Sequence, residues 1–171
     1  MARKELEPED LTAIIDTREQ LPLALPHFQV VRGTLETGDY SIAGLEKVLT
    51  VERKGLDDLL GCIGQHRKRF DDEMQRILAY PHRMLVIECT WRDIEAGMWR
   101  SRVTPAAVRG SLMGWLAMGI PIFFARDHVT AAGIVAHFMF LAARRRWREA
   151  VSMCDTLKIA TKETDIGPGN A

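Results

Sequence analysis

The segment from Gly38 to Asp58 reads GDYSIAGLEKVLTVERKGLDD. It holds an acid after a glycine, then a run of β-formers, then the charged triplet Glu52-Arg53-Lys54, then two more acids. Val48, Leu49, Thr50 and Val51 favour extended backbone, so Val48 to Lys54 is expected to be a strand. Side chains alternate along a strand, which places Glu52 and Lys54 on one face and Arg53 on the other. The residues leading to the triplet are apolar, so a carboxylate and an ammonium are carried to the mouth of a core. A hairpin through Leu45, Glu46 and Lys47 would pair this strand with Asp39 to Gly44 and bring Asp39 near Glu52. Two carboxylates and a lysine converging at strand ends suit a hard divalent cation such as Mg²⁺, which takes oxygen ligands and keeps several waters. Beside a phosphate such an ion neutralises charge and activates water.

Upstream, Met1 to Asp10 is charged and reads as a solvated arm without the apolar core of a signal peptide. Thr12 to Asp16 is a short strand ending in an acid. His27 to Leu35 is the next strand, with Gly33 a candidate bulge. Downstream, Leu56 to Ile63 begins helical turns, and Asp57 and Asp58 in the first turn suit the helix dipole. Gly61 and Gly64 mark a hinge. Phe70, Met74, Ile77 and Leu78 recur at helical spacing within Arg67 to Tyr80, and Pro81 stops that helix. Arg83 to Cys89 is a continuous apolar run ending in Glu88, the pattern of a buried parallel strand. Trp91 to Met98 is a short helix, and Thr104-Pro105 caps a longer one to about Met118. Ile120 to Ala125 is a strand, with Pro121 pointing to a sheet edge. Thr130 to about Trp147 is helical and apolar nearly all round, which indicates burial or a subunit interface. Strands cluster early and alternate with helices later, so the fold class is α/β with a mixed sheet flanked by helices. Acids fall near strand ends at Asp16, Asp39, Glu52 and Glu88.

With 171 residues the chain suits one domain, set here at 11–160 between an N-terminal arm (1–10) and a C-terminal tail (161–171). The formal net charge is zero, so only local clusters speak for a polyanionic partner. His66-Arg67-Lys68-Arg69 and Arg144-Arg145-Arg146-Trp147-Arg148 are such clusters; each is either a phosphate contact or a solvated helix face. The three cysteines are scattered, without CxxC or Cys/His spacing, which argues against zinc and for a reducing compartment. No apolar stretch reaches the roughly 20 residues that span a bilayer.

Asp39, Glu52, Arg53, Lys54 and Asp58 together spell G-D-(x)n-E-R-K-x-x-x-D, which resembles the signature of the XPF-type nucleases, structure-specific endonucleases of DNA repair and recombination. The likeness extends to IIDTREQ at Ile14 to Gln20, to Cys62–Arg69, to VIEC at Val86 to Cys89 and to GIPIFFARD at Gly119 to Asp127. It covers about residues 12 to 148. The resemblance implies a restriction-endonuclease-like fold and Mg²⁺- or Mn²⁺-dependent cleavage of branched or flapped DNA. It implies that Asp39, Glu52 and the backbone carbonyl of Arg53 hold the metal, with Asp16 and Glu19 completing the acidic site. Lys54 would orient or activate the attacking water, and a pKa lowered beside Mg²⁺ would help it act as a base. Arg53 would pair with an acid, and Asp58 would support the ligands from behind. Arg18, Arg67, Lys68 and Arg69 are the DNA-contact candidates. Glu19 and Glu88 are alternatively surface or supporting salt-bridge partners.

Family members usually carry a tandem helix-hairpin-helix module, whose Gly-rich hairpins are not seen here. The expectation is therefore a homodimer or a helix-hairpin-helix-containing partner that supplies the DNA grip. The apolar 130–146 helix is a candidate dimer surface, or else packs on its own sheet. Location would be cytoplasmic and nucleoid-associated for a microbial or viral source, nuclear for a eukaryotic one. A non-catalytic DNA-binding or scaffold subunit is the alternative, opposed by the intact signature. A sequence-specific restriction or mismatch nuclease is opposed by ERK in place of a plain E-x-K.

Overall fold

The computed structural model describes residues 5–157. Six strands form one sheet: β1 (Thr12–Asp16), β2 (Gln29–Gly33), β3 (Tyr40–Ile42), β4 (Leu49–Gly55), β5 (His82–Glu88) and β6 (Ile122–Ala125). The helices are α1 (Leu56–Ile63), α2 (Arg67–Ile77), α3 (Trp91–Ala96), α4 (Pro105–Ala117) and α5 (His128–Thr156). The strand order is β2-β1-β3-β4-β5-β6. β3 runs antiparallel to both β1 and β4, while β1–β2, β4–β5 and β5–β6 are parallel. The architecture is thus the α/β mixed sheet that the element order predicted.

The apolar run in β5 explains the layering. Met84 and Val86 lie on one face and Leu85 and Ile87 on the other, and all four are buried. Met84 and Val86 join Leu49, Val51 and the inner stripe of α5 (Ala131, Val135, Met139, Ala142) in one core. Leu85 and Ile87 join Leu59, Phe70, Met74, Ile77, Leu112 and Trp115 from α1, α2 and α4 in the other. A strand covered on both faces has no place for alternating polar residues. In the second core, Trp115 meets Phe70 edge-on at a centroid distance of 5.0 Å and donates its indole N–H to Asp71 Oδ1 at 3.0 Å. Truncating such a side chain to alanine typically costs about 3–5 kcal/mol.

The helix starts follow their capping residues. Thr104 Oγ1 accepts from the Ala107 N–H, with Pro105 in the first turn of α4. Thr90 and Asp93 form a reciprocal capping box on α3. Asp127 accepts from the Thr130 N–H and opens α5.

Three expectations change, and one open alternative is decided in part. Gly33 pairs in register with Asp16 and makes no bulge; a Cβ there would sit 3.0 Å from Ile14 Cγ2, so close packing explains the glycine. α5 runs on to Thr156 rather than ending near Trp147, because Arg145 and Arg146 pair with Glu149 along its exposed surface. Of the two readings of the apolar α5 surface, its inner face packs on its own sheet, while Val129, Leu141, Trp147 and Met153 remain exposed. The N-terminal segment is not wholly a solvated arm: Pro8–Asp10 form a 3₁₀ turn and Leu6 packs against the core. The tail at 161–171 lies outside the described residues. Among those residues no helix is long and apolar enough to cross a membrane.

Candidate active site and metal centre

Gly38 decides where Asp39 can be. Its φ is +81°, and a Cβ there would lie 2.1 Å from Thr50 Oγ1 and 2.9 Å from the Val51 carbonyl oxygen. Only a residue without a side chain lets the chain pass so near β4 in this conformation. The Asp39 N–H then donates to the Val51 carbonyl at 2.8 Å, and Asp39 Oδ2 accepts from the Arg53 N–H at 2.8 Å. The Asp39 carboxylate is thereby held at the peptide that joins Glu52 to Arg53.

Glu52 and Lys54 share a face of β4, as strand alternation requires, and their side chains touch through Glu52 Oε1 and Lys54 Nζ. Glu52 is only 1% exposed, and its Oε2 is buried with no hydrogen-bond partner among the described residues. Lys54 Nζ also lies 5.4 Å from the centroid of the Phe70 ring, so α2 supports it from below. Burial and the neighbouring Asp39 charge hold the Glu52 carboxyl well above the usual range, against the pull of Lys54. Burial likewise pushes Asp39 up to about 6; Lys54 and the Arg53 N–H oppose it, and Glu19 and Glu73 add to it. For Lys54, burial alone would lower the pKa, but the charges of Glu52 and Asp39 outweigh burial and raise it above the ordinary lysine value.

Two acids that burial and mutual repulsion press toward neutrality, one with a free oxygen, are the donor set a hard cation relieves. The residues therefore fit Mg²⁺ or Mn²⁺. Among the described residues no three His, Cys, Asp or Glu side chains gather as a metal cluster. A site of this kind leaves its remaining positions to water.

The four-acid convergence expected from the strand ends is split by sidedness. Arg53 points to the α5 face, 8% exposed. Its Nε and one terminal nitrogen donate to the two Glu19 oxygens, each at 3.1 Å, and the other terminal nitrogen to Glu88 Oε1 at 2.8 Å. Glu19 and Glu88 thus clamp Arg53 rather than reaching the Glu52 face. Asp16 is also engaged: Oδ1 accepts from the Arg18 backbone N–H and Nε, and Oδ2 from an Arg18 terminal nitrogen and the Leu35 N–H. Both oxygens fasten the loop after β1 to the segment before β3. These donors hold Asp16 below the usual carboxylate range although burial opposes them.

A cleft of about 800 Å³ opens over the strand ends, lined by Asp39, Arg53, Lys54, Glu88, Arg18 and Arg69 among others. Asp58 lines it from the first turn of α1, as does Asp57. The basic cluster divides. Arg67 pairs with Asp71, donates to Ser111 Oγ and lies over the Trp115 ring, so it ties α2 to α4. Lys68 pairs with Asp72 on the exposed surface. Arg69 forms no ion pair among the described residues and faces the cleft. In the second cluster, Arg144 lies over the Phe140 ring, Arg145 and Arg146 pair with Glu149, and Arg148 reaches Glu5 at 3.6 Å.

Sequence reasoning missed Glu73, whose charge reaches Asp39, Glu52 and Lys54 from α2. Its spacing three residues after Phe70 was the available signal. It also missed His128, whose Nδ1 lies 2.9 Å from Glu88 Oε1; no local pattern marks that contact.

An α/β sheet whose central hairpin presents Asp39 and Lys54 to an open cleft, with Glu52 buried directly behind them, is the framework of a nuclease-type domain. The model of the ERCC4 domain family matches residues 15–138, and the chain belongs to that family, one of structure-specific nucleases. Among solved structures, XPF from Aeropyrum pernix superposes with a TM-score of 0.62 at 19% identity, over 77% of this chain. At that identity the likeness speaks for the fold, which is that of the XPF nuclease. The chain spans 61% of the length of that protein. A comparison with curated proteins returned no match.

Proposed function

We propose that the chain is a divalent-cation-dependent DNA endonuclease that hydrolyses phosphodiester bonds near flaps, forks or junctions in repair or recombination. The observation that carries the reading is buried Glu52, with an unpartnered oxygen, set beside Asp39 and Lys54. Asp39, Glu52 and the Arg53 carbonyl would hold Mg²⁺ or Mn²⁺, which lowers the pKa of water and offsets phosphate charge when bound. The Arg53 N–H fixes the Asp39 carboxylate, so one ligand is oriented before DNA arrives. Lys54, paired with Glu52 on the same face of β4, stabilises the phosphate and orients the attacking water. Arg18 and Arg69 line the cleft and serve as its phosphate contacts. The grip on a branched substrate comes from a second copy of the chain or from a partner bearing helix-hairpin-helix motifs.

The test is cleavage of a labelled flap by wild type and Lys54→Ala, with circular dichroism as the check on folding. Cleavage should need Mg²⁺ or Mn²⁺ and fall by about 10²-fold or more in the variant, the loss typical for one transition-state charge stabiliser. Wild type that cuts nothing on a panel of branched, single-stranded and linear DNA would sink the reading. It would leave the scaffold alternative, which the intact Glu52–Lys54 pair disfavours.

A further inference from the structure

His128 takes no part in the chemistry above, yet it touches the network that holds the strand end in place. It stands in the first turn of α5, which Asp127 fixes by accepting the Thr130 N–H at 2.8 Å. Its Nδ1 lies 2.9 Å from Glu88 Oε1, and its Nε2 faces the Pro22 carbonyl at 3.4 Å. A carboxylate only accepts, so Nδ1 carries the hydrogen. The same Glu88 oxygen accepts from Arg53, whose fork rests on Glu19. The Arg53, Glu19 and Glu88 side chains are 8%, 6% and 14% exposed, so their geometry is set by these bonds rather than by water.

We propose that His128 is a positioning residue for the strand end that carries Glu52 and Lys54, acting through Glu88 and Arg53. The proposal rests on the nuclease reading of that strand end. Arg53 lies between Glu52 and Lys54 in β4, and its own N–H holds Asp39. A guanidinium clamped from two sides fixes the twist of β4 at that residue, and with it the directions in which Glu52 and Lys54 project on the other face. Without His128, Glu88 Oε1 keeps one of its two donors and the Glu88 carboxylate gains freedom to rotate. Arg53 is then held firmly only by Glu19, and the Asp39–Glu52–Lys54 geometry loosens. The arrangement parallels outer hydrogen-bond partners of metal ligands, whose loss typically lowers metal affinity or activity about 10–100-fold.

Three substitutions test it. His128→Ala removes the donor. His128→Asn returns an N–H close to the position of Nδ1. His128→Gln places its amide near Nε2, facing Pro22 rather than Glu88. The readouts are Mn²⁺ affinity by calorimetry, kcat and KM on a flap substrate, and the unfolding midpoint. His128→Ala is expected to weaken Mn²⁺ binding and lower kcat about tenfold or more while KM for DNA stays near wild type. His128→Asn should recover most of both losses, and His128→Gln should not. Alanine with wild-type affinity and kcat would overturn the proposal. So would equal losses in Asn and Gln, which would make His128 a packing residue at the start of α5. If the alanine variant does not fold, the Asn–Gln contrast decides alone. If wild type binds Mn²⁺ but cuts no DNA, the nuclease reading fails and the affinity series still decides the role of His128. Wild type that binds no Mn²⁺ refutes both.

Discussion

Substituting Gly38 by alanine tests whether the acid before β3 is placed by backbone geometry. The new Cβ meets Thr50 Oγ1 at 2.1 Å and the Val51 carbonyl oxygen at 2.9 Å, in a backbone with φ of +81°. Left-handed backbone with a side chain costs about 1–2 kcal/mol. Thr50 Oγ1 must also leave its place, breaking its 2.9 Å bond to the Thr37 carbonyl in a buried site. Stranding those groups costs a further roughly 1–3 kcal/mol. The sum is about 2–5 kcal/mol, or about 4–20 °C in midpoint for a chain of this size. Urea unfolding of Gly38→Ala, Thr50→Ala and the double variant separates the parts. In the double variant the overlap with Oγ1 is gone, while the strain and the contact with Val51 remain. The two changes should therefore couple favourably by about 1 kcal/mol. A Gly38→Ala protein within about 1 kcal/mol of wild type, below the backbone strain alone, would refute the reasoning. Strict additivity with Thr50→Ala would refute the role given to Thr50.

The remaining predictions concern the buried charges around β4. Arg53→Ala leaves Glu19 and Glu88 without their shared cation, and chemical denaturation should show a loss of about 3–5 kcal/mol. Arg53→Lys should recover only part of it, since an ammonium cannot reproduce the two-pronged bond to Glu19. Asp16 has a folded pKa below its unfolded value through Arg18 and Leu35, despite burial. Its contribution is therefore present above the unfolded carboxylate pKa near 4 and disappears as pH falls through the lowered folded value. Asp16→Asn should unfold more easily than wild type at pH 7, and the gap should narrow below about pH 4; a pH-independent gap would argue against the assignment. Glu52→Gln should abolish Mn²⁺ binding in a calorimetric titration with the fold retained. Undiminished binding would remove Glu52 from the ligand set.

The parts of the fold and site that could be read in advance are those set by contacts within one element or one hairpin. Period-two alternation is enough to put Glu52 with Lys54 and Arg53 opposite, and MLVI in β5 is enough to bury a central strand on both faces. Helical spacing carries one step further. Arg67–Asp71 and Lys68–Asp72 stand four apart and pair as that spacing allows, which withdraws both cations from the cleft. Arg69 and Glu73 have the same spacing without pairing; Arg69 lines the cleft, and Glu73 acts on the acids of β4. That distinction needs the tertiary field and no local rule supplies it. The clamp on Arg53 lies further out of reach. Its acids are 34 and 35 residues away, and His128 is another 40 beyond Glu88. Strand-end acids look alike in sequence, whereas register decides their partners. β5 pairs with β4 so that Glu88 falls opposite Gly55, on the face of Arg53 and away from Glu52. A shift of one residue in that pairing would turn Glu88 onto the Glu52–Lys54 face and leave Arg53 with one acid instead of two. The division of labour between ligand-type acids and clamping acids is thus a property of β4–β5 register rather than of the signature itself; MLVI is apolar on both faces, so the Glu88–Arg53 pair is what distinguishes this register from a one-residue slip.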